Sequence, residues 1–576
     1  MLQSAQLKQA LLSCFFIGTA ISTVAQGVIP PAPPASTASS ATITVDFANQ
    51  IGPYKPIYSW FGYDEANYTT MRNGKALLRE LRDLSPVPVY IRAHHLLTSG
   101  DGKAELKFSS TNVYTEDGSG KPVYDFKILD GIFDEYKAAG VRPMVEFGFM
   151  PKDLAATLPN RHEPYQVHYP KSAVSGASNN PPKDYKKWGE LIRVITAHFV
   201  ERYGKETVLQ WYFEVWNEPD IDYWHSTAED YWKLYDYAAS NVKSVLPAAR
   251  VGGPATTSPS SEHAYNYLKG FLDHVASGKS FADGKSIPLD FISFHAKGKP
   301  TIVENHVTMG IQHELADADR GFYLISQYPK YRNLPLILSE ADPEGCAACS
   351  SRVNPANNYR NGTLYPAYTA AAFKALFDLQ DKHKVNLLSM LSWSFEFEDK
   401  DYFEGFRSLS TNGINKPILN LFRMLGLMSG TRVAATSSAS VSLDTLVTTG
   451  VRDKTDVDGM ATIDDRKATV LMWNYHDADQ PDSATPTSVE LRDFPKGVKR
   501  ILVQHYRIDD THSNAYTAWK AMGSPQQPTT EQYAQLQSIA GLQLLTSPAW
   551  VDIVDGKLNL QTELPRQSIS LVKITW

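Results

Sequence analysis

The sequence predicts an α/β fold, a (β/α)8 TIM barrel followed by a C-terminal accessory β-sandwich domain. Three observations lead there. From Ile57 to about residue 430, short apolar runs alternate with segments of helical period, the rhythm of repeated βα units around a parallel sheet. Eight such runs occur, the number that closes a barrel. Beyond about Thr431 the helical period gives way to short strands separated by turn residues, the pattern of a sandwich. A doubly wound open sheet would share the alternation, but no glycine-rich phosphate fingerprint follows an early strand. Gly252-Gly253-Pro254 lacks that spacing and reads as a turn.

Residues 1–25 carry Lys8, an apolar stretch and Thr23-Val24-Ala25, the pattern of a secretory signal peptide cut after Ala25. The stretch is short for a membrane span and runs on past Cys14, against a lipoprotein site. A Pro/Ala/Ser-rich linker over 26–41 has no means of building a core. The expectation is a periplasmic or secreted protein with no membrane partner once the leader is removed.

Residues 41–47 alternate apolar and polar side chains as a half-exposed strand does, and 42–50 are expected to join the sandwich. The barrel is assigned to 51–430, with strands at 57–62, 88–93, 142–148, 209–216, 250–254, 289–295, 334–338 and 386–393. Helices at 129–139, 185–202, 228–245, 362–380 and 416–428 fall between or after them. The loop over 151–182 is long and rich in Pro, Asn and Ser. Walls of this length favour a closed pocket over an open groove. The accessory domain, 431–576, is expected to hold strands at 441–449, 467–475, 487–491, 499–506, 550–554 and 568–576. A helical insertion falls near 509–544.

Lys plus Arg total 56 and Asp plus Glu 62, so the 576-residue chain carries a net charge of only −6. Without a basic run, nucleic acid is excluded as a partner. Removal of the leader leaves two cysteines, Cys346 and Cys349, read as a local bridge or as two free thiols. One CxxC pair cannot complete a four-ligand zinc site. No metal site and no cofactor are expected, and oligomeric state is not legible.

The chemistry concentrates at two strand ends. The apolar run 211–216 stops in Asn217-Glu218-Pro219, and the proline ends pairing. A second run, 334–338, ends in Ser339-Glu340. Strand ends at this face of a barrel hold catalytic groups. Cleavage of a glycoside with retention needs one carboxyl as acid then base and another as nucleophile, about 5–5.5 Å apart. Glu218 is read as the acid/base and Glu340 as the nucleophile. At such spacing one pKa is expected to rise. Asn217 suits a hydrogen bond to the sugar 2-hydroxyl. An oligosaccharide is the implied substrate, and a catalytically silent sugar-binding barrel is the alternative of a different class.

EVWNEPD (214–220), DFISFHAKG (290–298), LSEADP around Glu340, EFGFMP (146–151) and YRIDDTHSNAYTAW (506–519) together resemble glycoside hydrolase family 39, the β-xylosidase and α-L-iduronidase family. The resemblance runs from about residue 42 to the C-terminus and implies an exo-acting β-xylosidase. It further implies substrate contacts for His94 in IRAHH, Phe149, His295 and Trp393, the last as an aromatic platform. Otherwise His94 reads as a solvated loop histidine, and Phe149 and Trp393 as core. Many family xylosidases have tyrosine where this chain has Lys297; iduronidase-like members have lysine, able to meet a sugar carboxylate. Lys297 reads equally as a structural cation, and iduronidase-like or arabinosidase-like specificity stays open. After Trp393 the family's substrate-binding glutamate does not align cleanly, and Glu396 and Glu398 are the candidates taken.

Overall fold

A computed structural model describes residues 40–158, 179–393 and 395–576. The expected leader, nearly all of the linker and residues 159–178 of the long loop lie outside the described residues.

Eight parallel strands close a barrel: Trp60–Tyr63, Tyr90–Ala93, Arg142–Phe147, Tyr212–Val215, Arg250–Thr256, Phe291–Lys297, Pro335–Asp342, and Asn386–Met390 continued by Ser392–Trp393. They are numbered one to eight below. Each pairs with its sequence neighbour, and Ser392 and Trp393 of strand eight pair with Phe61 and Gly62 of strand one, closing the ring. Helices follow the strands; besides those expected, Arg72–Asp83, Glu262–Ser277 and Ile311–Ser326 complete the shell.

The two-residue period of the strands divides their side chains between two cores. Ile91, Val145, Phe213 and Val215 point outward into the large cluster shared with the helices. Trp60, Tyr90, Met144, Tyr212, Phe291 and Ile337 point inward and fill the barrel floor. Two positions further along, the same inward face carries Arg92, Glu146 and Glu214 instead of apolar side chains, all fully buried.

The accessory part is a ten-stranded sheet whose two ends curl over one apolar core. Ile43, Val470, Val489, Ile501 and Ile574 meet there although their strands lie far apart in the sheet order. Ala41–Pro53 runs antiparallel to Thr431–Ser437 and parallel to Thr485–Arg492. Asp456–Asp464 and Lys557–Leu564 are further strands absent from the sequence reading. One expectation is corrected: within 441–449 the chain forms a helix, Leu443–Thr448, and not a strand. Ser442 caps it by accepting from the Thr445 amide at 3.2 Å, and such a cap outweighs the weak β preference of so short a run.

The insertion holds two helices, Ala515–Ala521 and Thr530–Ala540. Ala515, Trp519, Leu536 and Ala540 pack against Phe403 and Ile414, so the accessory part braces the loop after barrel strand eight.

Candidate active site

Strand four ends in an abrupt change of direction. Trp216 and Glu218 both hold left-handed φ, 73° and 43°, conformations that cost energy in residues bearing a Cβ. The Glu218 amide is secured by the Ala255 carbonyl at 2.9 Å. The turn carries Glu218 to the barrel mouth, where Glu340 arrives from strand seven. One oxygen each from Glu218 and Glu340, and one nitrogen of His295, all lie within 4.8 Å of one another. His295 Nδ1 bridges the pair, 2.8 Å from Glu218 Oε1 and 3.8 Å from Glu340 Oε2.

Beneath them Arg92 occupies the barrel axis. Its Nε donates to Glu214 at 2.5 Å and its Nη1 to Glu340 at 3.1 Å. Its Nη2 lies 2.8 Å from Glu146 and 2.9 Å from Asn217 Oδ1. A buried guanidinium with five donors in a rigid fork can serve four acceptors at once. With Oδ1 engaged as acceptor, what Asn217 has to offer a ligand is its two Nδ2 N–H donors.

Lys297 Nζ pairs with Glu340 Oε2. His94 Nδ1 sits 2.6 Å from Glu146 and its Nε2 3.4 Å from Glu340 Oε1. Burial by itself would raise the Glu340 carboxyl. His295, Lys297, His94 and Arg92 outweigh it and hold the group well below the usual carboxylate range. Burial likewise opposes charge on His94, but Glu146 prevails and lifts its pKa to about 9. His95 next door is also buried, faces the positive His94 and falls to about 3. Two adjacent histidines thus differ in protonation at neutral pH, His94 cationic and His95 neutral.

Trp393 lies against His94, ring centroids 4.2 Å apart, with the Arg92 guanidinium 5.1 Å from its ring. Phe149 stacks on Tyr223 and tilts toward His94, 5.5 and 5.7 Å away. His94, Phe149, Asn217, His295, Lys297 and Trp393 therefore gather around the two glutamates. Glu396 and Glu398 do not join them. Glu396 accepts from Ser410 Oγ at 2.5 Å and the Gly413 amide at 2.7 Å. Glu398 accepts from the Asn73 amide and Nδ2 at 2.5 and 3.0 Å. Each of the four oxygens thus accepts one hydrogen bond from the protein.

The sequence reading passed over Arg92, Glu146 and Glu214. Each is the lone charge in a short apolar stretch of its strand, as in YIRA, PMVEF and YFEV. Such a charge must find a partner inside, and that was the available signal. Glu218, His295 and Glu340 form the only potential metal-ligand group among the described residues. Lys297 and Arg92 already neutralise Glu340, so a divalent cation would meet like charges there.

Two glutamates presented by strands four and seven at the mouth of a (β/α)8 barrel define a glycoside hydrolase. Residues 86–554 match the family model of glycosyl hydrolases family 39, and the chain belongs to that family. It is 28% identical over 504 residues to a β-xylosidase of Geobacillus stearothermophilus, covering 84% of this chain and 86% of that protein. It is 26% identical over 413 residues to the α-L-iduronidase of Mus musculus, covering 67% and 62%. Among solved structures, a monomeric β-xylosidase from Caulobacter crescentus CB15 superposes with a TM-score of 0.71 at 21% identity, covering 93% of this chain and 99% of that one.

Proposed function

We propose that the protein is an exo-acting, retaining β-xylosidase that releases xylose from the non-reducing ends of xylo-oligosaccharides. The observation that carries the reading is the close approach of Glu218 and Glu340, whose ligand atoms lie within 4.8 Å. That separation fits a retaining pair, about 5–5.5 Å, and not an inverting one, about 6.5–9.5 Å. The xylose assignment is supported by relatives named β-xylosidases at 27–28% identity over most of the chain.

Glu340, held anionic by its cations, attacks the anomeric carbon. Glu218 gives its proton to the departing oxygen, then takes one from the water that hydrolyses the glycosyl-enzyme. Asn217 donates to the 2-hydroxyl, a contact that strengthens as the oxocarbenium-like transition state forms. His295 orients Glu218, and Trp393 lies under the ring.

Glu340→Ala is expected to abolish turnover of an aryl β-xyloside and to recover part of it with azide. Wild-type activity in that variant refutes the reading. Glu218→Ala is expected to slow substrates with poor leaving groups most. An iduronidase-like reading keeps one observation, the ammonium of Lys297 at the pocket. Parallel assays on aryl xyloside, arabinoside and uronide separate the sugars.

A further inference from the structure

Asp64 stands at the end of barrel strand one, and no role in the mechanism above requires it. Its carboxylate is nearly buried, with 8% of the side chain accessible, between Lys107 and His94. Lys107 Nζ holds Oδ2 at 2.5 Å. The Lys107 amide in turn donates to Glu65 at 2.6 Å, fixing the loop that carries the ammonium. Asp64 Oδ1 lies 3.5 Å from His94 Nε2, and the same nitrogen lies 3.4 Å from Glu340 Oε1. One N–H shared between two acceptors at those lengths makes only a weak, bifurcated contact with each, and neither has the geometry of a full hydrogen bond. Oδ1 is therefore an anionic acceptor without a full hydrogen bond from His94, on the same imidazole edge that faces Glu340.

A pyranose seated with its anomeric carbon at Glu340 and its face on Trp393 extends past that imidazole edge. Trp393 itself is 4.2 Å from the His94 ring. The carboxylates after strand eight are turned toward Ser410, Gly413 and Asn73, each oxygen of Glu396 and Glu398 already accepting one hydrogen bond there. We propose that Asp64, clamped by Lys107 beside His94, is the acceptor that recognises a hydroxyl on the side of the sugar ring remote from the scissile bond. The inference rests on the glycosidase reading, but it concerns selection of the sugar and not the chemical step. Charge-assisted acceptance of a hydroxyl by a buried carboxylate is a strong contact. A site built to bind a hydroxyl rejects the analogue that lacks it.

The test compares wild type, Asp64→Asn and the double variant Asp64→Asn/Lys107→Met. The substrates are the aryl glycoside that wild type cleaves fastest and its 3-deoxy and 4-deoxy counterparts. Wild type is expected to prefer the parent over one deoxy substrate by about 10- to 100-fold in kcat/KM. Both variants are expected to lose most of that preference through KM, while cleaving the deoxy substrate as well as wild type does. Titration calorimetry with xylose and its 3-deoxy and 4-deoxy counterparts reads the same discrimination without turnover, so failure of the glycosidase reading stays distinguishable. An unchanged preference in both variants, or an equal loss on every substrate, overturns the proposal. The double variant controls for a stranded Lys107 ammonium.

Discussion

Glu340 is anionic because of its neighbours and not because of its surroundings. Four positive or hydrogen-bonding groups offset burial that alone would protonate it. Removing one of them shifts that balance in a known direction. Lys297→Met is expected to raise the Glu340 pKa and carry the acidic limb of kcat/KM upward by about one unit or more. A pH–rate profile checks it; a limb that stays in place shows Lys297 does not tune Glu340. His94 works with the opposite sign. Its folded pKa of about 9 exceeds the unfolded value, so its stabilisation is complete below the unfolded pKa. That contribution disappears as pH rises through about 9. Urea unfolding at a series of pH values is expected to show this alkaline loss in wild type and not in His94→Gln.

Strands one and eight meet where the sugar platform is built. Trp393 pairs with Gly62, and a Cβ added to Gly62 would stand 2.3 Å from the indole. No side chain fits between them, so the glycine lets the tryptophan lie flat against the closing seam. Gly62→Ala is expected to displace the ring and reduce kcat/KM about tenfold or more, since misplaced positioning groups are costly. The quenched or shifted fluorescence of a moved tryptophan gives an independent readout, and unaltered kinetics would refute the account. The Cys346–Cys349 bridge spans a separation of only three residues. So short a loop limits little chain entropy, and its place after strand seven makes it a local tie.

Barrel and accessory sheet share one hydrophobic body. Helix Leu364–His383 packs on strands Lys467–Tyr475 and Asp456–Asp464, with Tyr368 5.9 Å from Tyr475 and Lys374 paired to Asp458 at 3.3 Å. Leu471, Trp473 and Tyr475 of the accessory sheet belong to the core of the barrel shell. A protein truncated after residue 430 exposes that surface and leaves strand Ala41–Pro53 without either partner. It is expected to aggregate or to unfold well below the full chain in calorimetry, because large exposed apolar faces drive association. A truncated protein that melts cooperatively at the full-length temperature would show two independent domains.

The barrel was legible because its information is local and repeated: buried strands are predominantly apolar, helices have their own period, and a proline or polar break often ends a unit. Glu218 stood out for the same reason, as a carboxylate abruptly following WYFEVWN. Segment 441–449 misled because a run that short supports either period, and one serine cap decided between them. Spatial pairing leaves no such trace along the chain. That Arg92 would gather Glu146, Glu214, Glu340 and Asn217, or that Glu396 and Glu398 would turn to Ser410 and Asn73, depends on contacts between residues separated by tens to hundreds of positions. Periodicity tells which side of a strand a residue occupies; only closure of the ring determines what it meets there.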